Sequence, residues 1–285
     1  MSARDAVLIT AGQLQRQLEE GPTPAILDVR WRLDKPDGND DYLAGHLPGA
    51  VYVSLDDDLS DHNRTGLGRH PLPAGSALQA AARRWGIGQG RPVVVYDDWN
   101  RAGSSRAWWV LTAAGIPDVR ILDGGLPAWT SAGGELHTGT VDVPRGDVTV
   151  LHDDLYQGAQ ATLTAEQIAG GSAATVLDAR APERYRGEVE PIDPVAGHVP
   201  GARNLPATAV LDDSGAFQTE SVIGELLELS GVARTDSIGV YCGSGVTASV
   251  VLAALRSAGV TGALFPGSWS QWSSQGRPHR TGAQP

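Results

Sequence analysis

The sequence predicts an α/β protein made of two tandem domains, each a parallel sheet with helices on both faces. Three observations carry this. The chain has 285 residues, which at roughly 150 residues per domain suggests two domains. Four sequence blocks occur twice in the same order. Within each copy, short apolar runs alternate with longer stretches of helical periodicity, the pattern of strand-helix-strand units.

The first block is Ile26-Leu27-Asp28-Val29-Arg30, which returns as Val176-Leu177-Asp178-Ala179-Arg180 at an offset of 150. Ala44-Gly45-His46-Leu47-Pro48-Gly49-Ala50 returns as Ala196-Gly197-His198-Val199-Pro200-Gly201-Ala202, an offset of 152. Val93–Asp97 returns as Ile238–Cys242, an offset of 145, and Gly124 and Trp129 return as Gly267 and Trp272, an offset of 143. Offsets that drift by so little indicate a duplicated domain with small changes in its loops.

In the first copy, Ala25–Val29, Pro92–Tyr96 and Val119–Leu122 read as strands buried on both faces. Ser76–Arg84 and Ser105–Ala114 read as helices that end near Gly86 and Gly115. In the second copy the strands are Thr175–Ala179, Ser237–Tyr241 and Ala263–Phe265, and the helices Ser221–Leu229 and Val246–Ala258. The polar stretch between the copies, interrupted by Gly, Pro and Asp, reads as a connector. The expected organisation is a domain over 1–135, a linker over 136–160 and a second domain over 161–285.

Composition narrows the function. Hydrophobic residues make up 41% of the chain, enough for a core in each half, and the net charge is −11. An acidic surface repels phosphate backbones and anionic lipid, so neither nucleic acid nor a membrane is an expected partner. Lys35 is the only lysine, which argues against a P-loop or a Schiff-base enzyme. Cys242 is the only cysteine; it can form no internal disulfide and cannot alone supply a structural zinc site. Neither a metal nor an organic cofactor is expected. The first twenty residues contain no signal-like apolar run, and the expectation is a cytoplasmic, monomeric protein.

The duplication also serves as a control: what both copies share is expected to serve the fold. The two Asp-x-Arg motifs read as structural ion pairs, His46 and His198 as satisfied turn histidines, and Trp129 and Trp272 as core. The copies differ after one strand. Tyr96-Asp97-Asp98-Trp99-Asn100-Arg101 stands in the first and Tyr241-Cys242-Gly243-Ser244-Gly245-Val246-Thr247-Ala248 in the second.

A lone cysteine is more often a small buried hydrophobe than a nucleophile. This one sits at the carboxyl end of a parallel strand, where such sheets bind ligands. Gly243 and Gly245 permit tight, positive-φ backbone whose amides, with the following helix N-terminus, can cradle a sulfur anion. Such surroundings favour a thiolate over a thiol. The reading requires the side chain to be within reach of solvent.

Three other chemistries fail on the residues. Gly243-x-Gly245-x-x-Ala248 fits a weak dinucleotide fingerprint, but no acid follows at the ribose-binding distance. A cysteine phosphatase loop needs arginine at position 248, and a dithiol oxidoreductase needs a second cysteine. Attack at sulfur, with the sulfur held on one thiol, survives.

These blocks, together with the Cys-Gly-Ser-Gly-Val-Thr-Ala loop, make the chain resemble the tandem rhodanese-domain sulfurtransferases, which include thiosulfate and 3-mercaptopyruvate sulfurtransferases. The resemblance runs from about Leu8 to Trp272. It implies two rhodanese-like domains, the second catalytic and the first inactive, with Asp97 in the cysteine position. It further implies that a Cys242 persulfide forms from a small anionic donor and delivers sulfur to cyanide, a thiol or a protein. The alternative is a sulfur-carrier or regulatory module without turnover.

The uncharged stretch Gly243, Ser244, Gly245, Val246 and Thr247 resembles the mercaptopyruvate branch. That branch implies Ser244, His70 and Asp56 acting together, and Arg184 gripping the donor. A second arginine of that branch is missing here, where Glu190-Pro191-Ile192 stands. Arg186 and Arg101 are the residues considered as replacements.

Overall fold

The computed structural model describes residues 2–173 and 175–285. These form two compact units: Met1–Asp61 with Leu72–Gln160 and Asp213–Phe217, and His62–Pro71 with Ala161–Asp212 and Gln218–Pro285.

The first unit holds a five-stranded sheet of β1 (Leu8–Ile9), β2 (Ala25–Asp28), β3 (Ala50–Tyr52), β4 (Val93–Tyr96) and β5 (Val119–Leu122), in the order β1-β5-β4-β2-β3. Every pairing is parallel. The second holds β6 (Thr175–Asp178), β7 (Arg203–Asn204), β8 (Ile238–Tyr241) and β9 (Gly262–Leu264), in the order β7-β6-β8-β9, also all parallel. All four residues of β4 and of β8 are buried, as strands covered on both faces must be. The expected α/β class and parallel sheets are therefore observed.

Strand order reverses between β2 and β4, and again between β6 and β8. In open parallel sheets, ligands bind beyond the strand carboxyl ends at such a reversal. Asp97 follows β4 directly and Cys242 follows β8, so both lie at these points.

The shared motifs are structural. Arg30 forks onto Asp28 through Nε and Nη2 (3.0 and 2.8 Å), and Arg180 onto Asp178 through the same atoms (3.0 and 2.6 Å). The second nitrogen of each fork also reaches a carbonyl, of Gly45 and Gly197 respectively, so each arginine ties a strand end to the following turn. His46 stacks on Tyr42 and pairs with its carbonyl; His198 does the same with Tyr185. Trp129 and Trp272 are buried, each donating its indole N–H to a carbonyl.

The segment expected to be a linker, 136–160, lies along the first unit. Gly146 N–H donates to Arg83 O, Leu151 N–H to Ala114 O and Ala159 N–H to Ala113 O, while Val148 and Leu155 are buried. Residues 62–71, expected within the first domain, group with the second unit. Among the described residues no helix is long and apolar enough to cross a membrane.

Candidate active site

Cys242 ends β8, and its loop is clamped from behind. Its backbone N–H donates to Ser268 Oγ (3.2 Å) and its carbonyl accepts from Trp269 N–H (3.0 Å), while Gly243 O accepts from Ser270 N–H (2.9 Å). All three partners open the helix Ser268–Ser274. Gly245 turns the chain with φ +80°, and a Cβ there would sit 2.5 Å from Pro266 O, so the position requires glycine. From this turn Gly245 N–H donates to Cys242 Sγ (3.1 Å). The following helix spans Ala248–Ser257, two residues later than expected, with Thr247 at its N-cap and Val246 buried. Those two residues are spent in the loop around the sulfur.

Two expectations are corrected here. Gly243 does not take left-handed backbone. A Cβ there would meet Arg69 Nη2 at 3.3 Å and Arg184 Nη1 at 3.5 Å, so the glycine leaves room for two guanidinium groups. Second, Cys242 is not open: the residue is 1% exposed. The cause is the clamp just described, which seats the loop against the final helix.

His70 Nδ1 lies 2.7 Å from Ser244 Oγ, and both side chains are buried. The segment carrying His70 is fixed by Gly68, whose φ is +90° and whose Cβ would meet Gly267 O at 2.5 Å. Gln271 Nε2 also donates to Gly66 O (2.9 Å). The third expected partner, Asp56, belongs to the first unit, in the short helix Leu55–Asp58 behind the Ser54 cap.

Arg184 stands near Gly243, its Nη1 3.5 Å from where a Cβ of residue 243 would be. Its Nη2 is held by Glu190 Oε1 (2.6 Å) and lies 3.5 Å from Asp193 Oδ2. Glu190 also accepts from Arg180 Nη1 (3.3 Å). Of the two considered replacements for the missing arginine, Arg186 pairs with exposed Glu188 at the surface and Arg101 is buried in the first unit against Asp97. The residue that sequence reasoning missed is Arg69. It binds Asp193 through Nη1, and its backbone N–H donates to Ser270 Oγ (3.1 Å). Its only sequence signal was adjacency to His70.

The first copy shows what fills the corresponding place without a cysteine. Asp97 accepts the N–H groups of Trp99 (3.1 Å), Arg101 (3.2 Å) and Ser104 (3.0 Å), together with Ser104 Oγ–H (2.7 Å). Arg101 Nη2 adds an ion pair at 3.0 Å. That loop is an anion cradle occupied by a side-chain carboxylate.

Comparison with known proteins identifies the family of the fold. The family model for the rhodanese-like domain matches residues 10–132 and again 160–275. A Mycobacterium tuberculosis protein named "Putative thiosulfate sulfurtransferase SseB" is 62% identical over 274 residues, covering 96% of each chain. A Pseudomonas aeruginosa protein named "Probable 3-mercaptopyruvate sulfurtransferase" is 42% identical over 285 residues, covering 97% of this chain and 99% of that one. The crystal structure of SseA from Escherichia coli, described as a 3-mercaptopyruvate sulfotransferase with the rhodanese fold, superposes with a TM-score of 0.80. It is 32% identical and covers 92% of this chain and 98% of its own.

Proposed function

The chain belongs to the rhodanese family, and from that premise we propose that Cys242 takes sulfur from 3-mercaptopyruvate or thiosulfate and passes it to cyanide, a thiol or a protein. The activity is that of a sulfurtransferase. Relatives bearing that name span nearly the whole chain, which favours turnover over a passive carrier or regulatory module. The observation that carries the reading is the solitary thiol, supported by Gly245 N–H, beside two guanidinium groups.

With thiosulfate, the Cys242 thiolate attacks the outer sulfur. The new S–S bond forms as the old one breaks, leaving a persulfide anion and sulfite. With 3-mercaptopyruvate the C–S bond breaks, and the electron pair stays on carbon as the enolate of pyruvate. The proton of the donor thiol ends on that carbon. Only this second route needs a proton moved. His70 and Ser244, 2.7 Å apart beside the nucleophile, are placed to take it and return it. In either case an acceptor such as cyanide then removes the outer sulfur and restores the thiolate.

The burial of Cys242 adds a condition. Of the charged cluster beside it, Arg69 and Arg184 have the most exposed side chains, 30% and 17%. A donor enters past them and makes them move. Intact mass of protein treated with each donor should rise by one sulfur atom, and cyanide should remove it. No adduct with either donor would overturn the proposal.

Ser244→Ala should lower kcat/KM for 3-mercaptopyruvate by about 10²-fold, the size of a positioned acid-base contribution. Use of thiosulfate should change far less. Equal losses with both donors would remove Ser244 from the proton path.

A further inference from the structure

We propose that Asp193 selects between sulfur donors by their charge. Its carboxylate, seated on the guanidinium groups beside Gly243, disfavours a doubly charged donor such as thiosulfate against a singly charged one such as 3-mercaptopyruvate. This rests on the sulfur-transfer reading above.

The sequence of the segment fixes where the carboxylate stands. In Glu190-Pro191-Ile192-Asp193-Pro194 two prolines hold their own φ, and Pro194 also restricts the backbone of Asp193. Glu190 Oε1 accepts the N–H groups of Ile192 and Asp193 (3.2 Å each), so the chain turns over its own glutamate. Trp269 Nε1 donates to Val195 O (2.9 Å), tying the end of the turn to the helix that clamps Cys242. Asp193 is thus presented from a braced turn.

The charges around it cancel. Asp193 Oδ1 accepts from Arg69 Nη1, and Oδ2 lies 3.5 Å from Arg184 Nη2. Glu190 holds the same Arg184 nitrogen (2.6 Å) and Arg180 Nη1 (3.3 Å), while Asp178 takes the other nitrogens of Arg180. Three guanidinium groups meet three carboxylates, so the cluster is neutral before a donor arrives. The Cys242 thiolate then adds a negative charge beside it. The side chains of Asp193 and Glu190 are 4% and 3% exposed, so water screens them little. Asp193 Oδ2 is buried and accepts no hydrogen bond from the described residues. Its charge is left to act on whatever enters.

A donor anion drawn to Arg69 and Arg184 therefore meets Asp193 at the same place. Coulomb repulsion grows in proportion to the donor's charge. Thiosulfate is a dianion; 3-mercaptopyruvate carries its charge on one carboxylate, with a neutral thiol. The uncharged run Gly243–Thr247 offers the dianion no compensating cation. Repulsion of the wrong ligand is an effective route to specificity where both ligands are attracted by the same groups.

The test compares wild type, Asp193→Asn and Asp193→Ser in steady-state kinetics with both donors, with circular dichroism to establish folding. Relative to 3-mercaptopyruvate, kcat/KM for thiosulfate should rise about tenfold in each variant, the size of one poorly screened charge contact. Asparagine and serine differ in shape and share only the missing charge. A donor ratio that stays at the wild-type value, or that shifts in only one of two folded variants, overturns the proposal. Where one variant fails to fold, the other decides.

The second readout needs no turnover. Iodoacetate and iodoacetamide alkylate a thiol by the same reaction but differ in charge. Removing the Asp193 charge should raise the ratio of their rates at Cys242 several-fold. Altered packing alone would move both rates together, and an unchanged ratio overturns the assignment. Wild type that gains no sulfur from either donor would instead overturn the sulfur-transfer reading, while the alkylation ratio would still report on Asp193.

Discussion

Cys242→Ser is expected to reduce sulfur transfer to the uncatalysed background, a loss of at least about 10³-fold, with the fold retained. The substitution exchanges one atom in a fully packed place, and serine can keep the bonds of the clamp, which use the backbone N–H and C=O of residue 242. What it cannot do is form and release a persulfide: the intermediate requires sulfur bonded to sulfur. Removing a nucleophile from a site that works as a unit typically costs several powers of ten. The competing view is that a cysteine 1% exposed is inert core. The two views part on one measurement. An inert core thiol predicts unchanged turnover in Cys242→Ser, and that outcome would move the chemistry elsewhere in the chain.

The sheets were legible because the central strands are buried on both faces and therefore read as apolar runs. β2, β4, β5, β6, β8 and β9 fall within one residue of the expected boundaries. β1, β3 and β7 were missed. They are two or three residues long and lie at sheet edges, too short for any period to register. Cys242 was found by contrast between the copies, a signal that needs no structure.

Arg69 was not legible, for a definite physical reason. Residues 62–71 have no apolar periodicity, and adjacency in the chain assigned them to the first domain. Their real partners are Gly267, Ser270 and Gln271, some two hundred residues on. A contact at that separation leaves no local mark. The same limit hid the closure of the thiol, since the residues that clamp its loop come from the final helix.

Asp97→Ala should lower the unfolding free energy of the first unit by about 3–5 kcal/mol, the usual consequence of removing one member of a buried ion pair. Arg101 has 0% exposure, and Asp97 is its charge partner, so alanine leaves a cation without water or counter-ion. The amides of Trp99, Arg101 and Ser104 lose their acceptor in the same step. Arg101 also holds φ +62°, a backbone setting that non-glycine residues adopt only when their surroundings require it. Asp97→Asn should fall between wild type and alanine, because its carbonyl can still accept while its NH₂ faces donors. The pair need not be a large net stabiliser, since replacing both members with apolar groups is often neutral. The double variant Asp97→Ala/Arg101→Met should therefore recover much of what the single change loses, a coupling visible as non-additivity in urea unfolding followed by circular dichroism. Hydrogen exchange over residues 93–113 would locate the effect. If Asp97→Ala unfolds within about 0.5 kcal/mol of wild type, the range of an ordinary surface change, the carboxylate is not what holds this loop. The first copy's anion cradle would then be incidental to its fold.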